Sequence, residues 1–166
     1  MRLILILLLP FLGSLIAAFL PSDARNREAW LAGAITLATT LLVASLYPYM
    51  LKGEGVVRVA VSWIPALGLD FSLRMDGFAW LFALMVTGIG GLVVIYARYY
   101  MSPTDPVPRF FSFFLAFMGA MLGVVLSGNL IQLALFWEMT SLVSFMLIAY
   151  WHHRADARRG ARMALI

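Results

Sequence analysis

The chain has 166 residues, 63% of them hydrophobic and 12% charged, with a formal net charge of +4 and no cysteine. A soluble domain carries about 25% charged residues, so this composition excludes a soluble enzyme and a disordered tail, and the missing thiols exclude disulfide scaffolds, zinc ribbons and iron–sulfur ligation. The arginines sit in short loops between apolar stretches, which fits membrane topology and leaves no continuous basic face for nucleic acid.

Five stretches, 3–20, 29–51, 77–97, 110–127 and 129–151, hold one charge between them. Each approaches the ~20 apolar residues that cross a bilayer as a helix. The first follows Arg2 and contains Ala17 and Ala18; it runs the length of a full span, which makes it a retained helix rather than a cleaved signal. The second has Trp30 near one end and Tyr47 and Tyr49 near the other, the depths at which amphipathic rings favour the headgroup zone. Its Thr36, Thr39 and Thr40 are expected to bond back to their own helix carbonyls, which makes them weak evidence for a polar path.

Between the second and third spans the period changes to two. Val57, Val59, Val61 and Trp63 alternate with Arg58, Ala60 and Ser62; beyond Ile64-Pro65-Ala66-Leu67-Gly68, Leu69, Phe71, Leu73 and Met75 alternate with Asp70, Ser72 and Arg74. Two such arms around a Pro/Gly turn predict a β-hairpin over 56–75. Open sheet edges are not tolerated in hydrocarbon, so the hairpin is expected outside the membrane, one face on protein or headgroups.

Asp76-Gly77 opens the third span, in which Gly88, Gly90 and Gly91 leave a strip for close helix contact. The apolar run from Phe110 to Trp151 is too long for one span and is divided at Ser127-Gly128-Asn129, predicting two helices and a tight turn. Gly119 and Gly123 form G-x-x-x-G in the first of them, read as packing inside one bundle rather than dimerisation. From Ala157 the chain turns apolar again, the expected start of a sixth helix cut off by the chain end. The fold class is therefore an all-α polytopic membrane protein with five transmembrane helices, the start of a sixth, and an external β-hairpin between helices 2 and 3.

With the N-terminus outside, the inner segments hold Arg25, Arg27, Arg98, Arg109, Arg154, Arg158, Arg159 and Arg162, against Arg2, Lys52, Arg58 and Arg74 outside. That excess favours an N-terminus-out orientation in the plasma membrane.

The one charge inside a span is Glu138. At ~1.5 Å per residue it lies about 13–14 Å from Asn129, close to the midplane. An intramembrane acid costs ~2.5–3.5 kcal/mol on insertion scales and is a functional candidate by default. Desolvation penalises its charged form and a nearby cation restores it, so a moving cation would load and unload a proton; every Lys or Arg in this chain sits in a loop or at a span end. Ser141 shares the Glu138 face and Thr140 and Ser144 an adjacent strip; their hydroxyls either hold a water path or back-bond. Glu138 with hydroxyls offers too few oxygens for direct Na⁺ ligation, which favours protons. His152 and His153, beside Arg154, titrate near neutral pH and are candidates for feeding protons to such a path, or ordinary interfacial residues. Gln132 is assigned to packing. No cofactor or metal site is read.

The run Phe117-Met118-Gly119-Ala120-Met121-Leu122-Gly123-Val124-Val125-Leu126-Ser127, with Asn129-Leu130 and then Phe136-Trp137-Glu138-Met139-Thr140-Ser141-Leu142-Val143-Ser144-Phe145, resembles the A-type membrane component of Mrp-type multisubunit Na⁺/H⁺ antiporters. Trp63-Ile64-Pro65-Ala66-Leu67-Gly68-Leu69, Asp76-Gly77 and Tyr150-Trp151-His152-His153-Arg154 are similar too. The resemblance places residues 1–166 in the N-terminal part of one membrane domain. It implies a cation/proton antiporter subunit, not an enzyme, working beside other subunits in a hetero-oligomer, with Glu138 pairing with a lysine of a later helix. The same Trp-Glu pair occurs in the antiporter-like subunits of respiratory complex I and membrane-bound hydrogenases. That leaves a redox-driven proton pump as the alternative, with a non-transporting scaffold subunit third.

Overall fold

A computed structural model describes residues 1–21, 25–51, 55–64, 69–102, 105, 107–151, 159–160 and 163. Helices α1 (Arg2–Ala18), α2 (Arg25–Ala44) and α3 (Tyr47–Leu51) are followed by strands β1 (Val57–Ile64) and β2 (Leu69–Met75). Helices α4 (Gly77–Tyr100), α5 (Val107–Leu126) and α6 (Leu130–Ile148) complete the order, with a closing 3-10 turn at Ala149–Trp151. Among the described residues, four segments are long and apolar enough to cross a membrane: Asn26–Leu51, Gly77–Tyr100, Val107–Leu126 and Leu130–Ile148. The chain is an integral membrane protein, with α1 a shorter apolar helix of 17 residues. The expected sixth helix begins outside the described residues, as do His152, His153 and the hairpin turn at 65–68.

The second stretch is broken at Ser45–Leu46. The Ser45 hydroxyl donates to the Leu42 carbonyl at 2.7 Å, and Pro48 falls in the first turn of α3, where its missing N–H costs nothing. Thr36, Thr39, Thr40 and Thr87 each donate to a carbonyl one turn back, at 2.7, 2.7, 2.8 and 2.9 Å. Each of these hydroxyls donates its proton within its own helix.

Helices α1, α2, α4 and α5 enclose the core, with Leu3, Ile6, Phe111, Leu115, Leu122 and Leu126 buried. α2 and α4 run antiparallel: the Trp80 indole N–H donates to the Val43 carbonyl at 2.8 Å, while at the far end the Arg98 guanidinium lies 5.3 Å from the Trp30 ring centroid. Glycines permit the close approaches, since a Cβ at Gly90 would lie 3.0 Å from the Met118 sulfur and one at Gly119 3.0 Å from the Phe11 ring. Gly88, in contrast, faces open space.

The hairpin pairs antiparallel from Val57↔Met75 to Ser62↔Asp70, with an irregularity between Ser62 and Ile64 that takes Trp63 out of the alternation and leaves it exposed. Leu73 and Met75 are buried in the core, so the alternation puts one face of β2 on the bundle end. Its outer edge, otherwise a row of unpaired groups, is closed by the α5–α6 turn. The Ser72 N–H donates to Gln132 Oε1 at 2.9 Å, the Gly128 N–H to the Ser72 carbonyl at 2.8 Å, and Asn129 Nδ2 to the Asp70 carbonyl at 2.9 Å.

Asn129 also caps α6, its Oδ1 accepting from the Gln132 N–H at 2.8 Å, as Asp76 caps α4 through the Ala79 N–H at 2.9 Å. Replacing Asn129 by Ala removes the cap and the hairpin bond together. The expected loss is about 1–2 kcal/mol, read as a lower melting temperature, with Asn129→Asp recovering the cap but not the bond to Asp70.

Candidate proton site on helix α6

α6 is anchored at its start by the Asn129 cap and the Gln132–Ser72 clamp, and it packs along α5, where Phe136 lies against Gly123. Gln132, assigned from sequence to packing, is 3% exposed and holds the hairpin. Its oxygen finds the edge of β2, whereas its Nε2 is buried without a hydrogen-bond partner among the described residues.

Counting from Leu130, Glu138 lies about 12 Å along a helix of about 28 Å, near its middle. Its side chain is on the uncovered face, with Trp137 60%, Leu135 52% and Leu142 53% exposed around it. The turns above and below it place Ala134, Leu135, Ser141 and Leu142 nearest in helical spacing, so one carboxyl and one hydroxyl interrupt an apolar surface. Among the described residues Glu138 makes no ion pair or hydrogen bond; the ion pair found there joins Arg74 and Asp76 at 3.1 Å. Ser141 and Ser144 are half-buried. The Thr140 hydroxyl donates to the Trp137 carbonyl at 2.6 Å. With His152 and His153 outside the described residues, Glu138, Thr140, Ser141 and Ser144 are the candidate residues that the fold brings onto one helix.

A second carboxyl escaped the sequence reading. Glu28, in the first turn of α2, is 0% exposed, and neither oxygen has a hydrogen-bond partner among the described residues. Its signal was its place immediately before the apolar stretch beginning at Ala29. Since no partner is lost, Glu28→Gln is expected to leave the melting temperature of the purified protein unchanged or raise it; a drop of several degrees would reveal a cation held by that carboxylate.

A family model described as the N-terminus of chain 5 of NADH-ubiquinone oxidoreductase (complex I) matches residues 63–111. A probable K⁺/H⁺ antiporter A/B subunit of Rhizobium meliloti is 65% identical over 96% of this chain and 16% of its own. The Na⁺/H⁺ antiporter A subunit of Alkalihalophilus pseudofirmus is 42% identical over 95% of this chain and 20% of its own. Among solved structures, the Mrp complex from Dietzia sp. DQ12-45-1b superposes with a TM-score of 0.74 at 28% identity, covering 89% of this chain and 16% of the matched one. The archaeal membrane-bound sulfane sulfur reductase superposes with a TM-score of 0.74 at 26% identity, covering 89% and 23%. This chain thus spans about a fifth or less of the length of the named antiporter relatives, which are transporter subunits rather than enzymes. Over nearly its whole length, the chain is similar to part of the A subunits of cation/proton antiporters and to part of the Mrp complex, and over residues 63–111 to the N-terminus of complex I chain 5.

Proposed function

We propose that this chain is part of a subunit of a multisubunit monovalent cation/proton antiporter, in which Glu138 passes protons through the membrane. The observation that carries the proposal is the position of Glu138: midway along a membrane-length helix, on a face uncovered by the described residues, without an ion-pair partner among them. An acid there is costly in lipid and is retained where it meets water, a cation or another helix. Its counter-charge is then supplied from outside the described residues, by another helix of the same subunit or by a neighbouring one.

Orientation follows from the ends of the bundle. The α2 start, α4 end and α5 start put Arg25, Arg27, Arg98 and Arg109 at one end, and the sequence count of eight basic residues against four, which includes the arginines after Trp151, favours the cytoplasm for that end. The N-terminus and the hairpin then face outside.

The test is the assembled complex in sealed vesicles carrying an acid-inside gradient. Addition of K⁺ or Na⁺ is expected to collapse the gradient, and comparison of the two identifies the exchanged cation; the 65% identical relative is named for K⁺ and the 42% identical one for Na⁺. A gradient that responds to neither cation overturns antiport. The matches to complex I chain 5 and to a respiratory membrane complex favour a second reading, a redox-driven proton pump. It predicts proton uptake that depends on an electron donor and is indifferent to K⁺ and Na⁺.

A further inference from the structure

The pairing of β1 with β2 sets Arg58 directly opposite Arg74. Ser72 spends its N–H and carbonyl on Gln132 and Gly128, away from β1, so Ala60↔Ser72 is a non-hydrogen-bonded pair; two residues along, Arg58↔Arg74 is another. Such pairs bring the side chains closest, with Cβ atoms about 4.5–5.5 Å apart, and like charges there repel. Asp76 offsets one of the two through its bond to Arg74. Asp70 shares the face but lies four residues from Arg74, about 13 Å along the strand. Arg58 has no ion pair among the described residues.

A cavity of about 340 Å³ is lined by residues of both strands, Arg58 and Arg74 among them, and by Gly128. Gly128 is required for its floor, because a Cβ there would run into the Ser72 hydroxyl. The depth of this cavity in the membrane is set by its neighbours: Arg74 precedes the start of α4 by three residues and Gly128 lies between the end of α5 and the start of α6. The two arginines therefore stand where membrane helices end, at the level of lipid headgroups.

We propose that Arg58 and Arg74 form a binding site for the phosphate of an anionic glycerophospholipid, which supplies the negative charge that the hairpin register demands. The guanidiniums hold the phosphate oxygens, Arg58 from β1 and Arg74 from β2, and the acyl chains run down into the bilayer beside the bundle. The bound lipid ties β1, whose outer side is exposed, to the membrane surface. The proposal is independent of antiport, since it rests on the hairpin register and on the helices that span the membrane.

The experiment uses the native assembly purified with its lipids and compares wild type, Arg58→Gln, Arg58→Gln/Arg74→Gln and Arg58→Lys. Bound lipid is counted by native mass spectrometry, and affinity is measured in nanodiscs of phosphatidylcholine with increasing phosphatidylglycerol. With about 1 kcal/mol per basic residue near an anionic surface, Arg58→Gln is expected to weaken phosphatidylglycerol binding about fivefold and the double variant about 25-fold, with Arg58→Lys close to wild type. Equal retention by wild type and double variant overturns the site. So does saturation by inorganic phosphate without phosphatidylglycerol, which would make the ligand free phosphate. Loss of subunits from the double variant, in an assembly whose wild type retains no anionic lipid, also overturns it, because the arginines would then be paired with acids of another polypeptide.

Discussion

Glu138→Gln is expected to lower cation-dependent proton movement by the assembled complex about 10²-fold or more, the range that a positioned proton-transfer group contributes, while leaving subunit composition and yield unchanged. The substitution keeps size and polarity and removes only the capacity to exchange a proton. Assembly is expected to survive because Glu138 holds nothing in place among the described residues: it accepts no hydrogen bond, makes no ion pair and lies on the uncovered face of α6. Glu138→Asp keeps the acid but withdraws it toward the helix axis by one methylene, so intermediate activity is expected if a counter-charge or water must be met at a fixed distance. The assay is the cation-induced collapse of a pH gradient, normalised to the amount of complex in each vesicle preparation. A scaffold role gives the opposite pattern, with yield falling and transport per complex intact.

The features that place Glu138 differ in how far they could be read from sequence. Local chemistry was legible. Asn129 and Asp76 are side-chain caps that the chain declares within three residues of the helix they start, and the period-two alternation over 56–75 reports the face that buries Leu73 and Met75. The single acid in a charge-free stretch needed only counting.

What the sequence hid depends on residues far apart in the chain. Gln132 looks like any polar residue in a span until Ser72, sixty residues earlier, is brought to it. Glu28 reads as a loop charge, yet α2 begins at Arg25 and buries it. The loss of alternation at Trp63 comes from a shift in pairing between Ser62 and Ile64, and register irregularities arise from the partner strand rather than from the residue's own propensity. The direction in which Glu138 faces belongs to the same class, because helical spacing gives its neighbours on α6 but not which side α5 covers.

Gly123→Leu is expected to disrupt the α5–α6 seat, with a sharp loss of folded protein, and Gly123→Ala to destabilise by about 1–3 kcal/mol, the usual cost of overpacking. Gly119 and Gly123 lie one turn apart, but they serve different neighbours: Gly119 admits the Phe11 ring of α1, whereas Gly123 admits the Phe136 ring of α6, whose atoms occupy the space that a Cβ would need. The G-x-x-x-G therefore works within one chain, as two seats for two helices. Shrinking the intruding ring tests this directly, since Gly123→Ala with Phe136→Ala should cost less than the sum of the single changes, a coupling that separated sites do not show. The same cycle reports on transport. Phe136 precedes Glu138 by two residues, so the seat fixes the height and rotation of the acid as well as the packing of the helix. A double variant that regains yield yet transports poorly would show that the Phe136 seat sets the position of Glu138; recovery of both would assign the seat to stability alone.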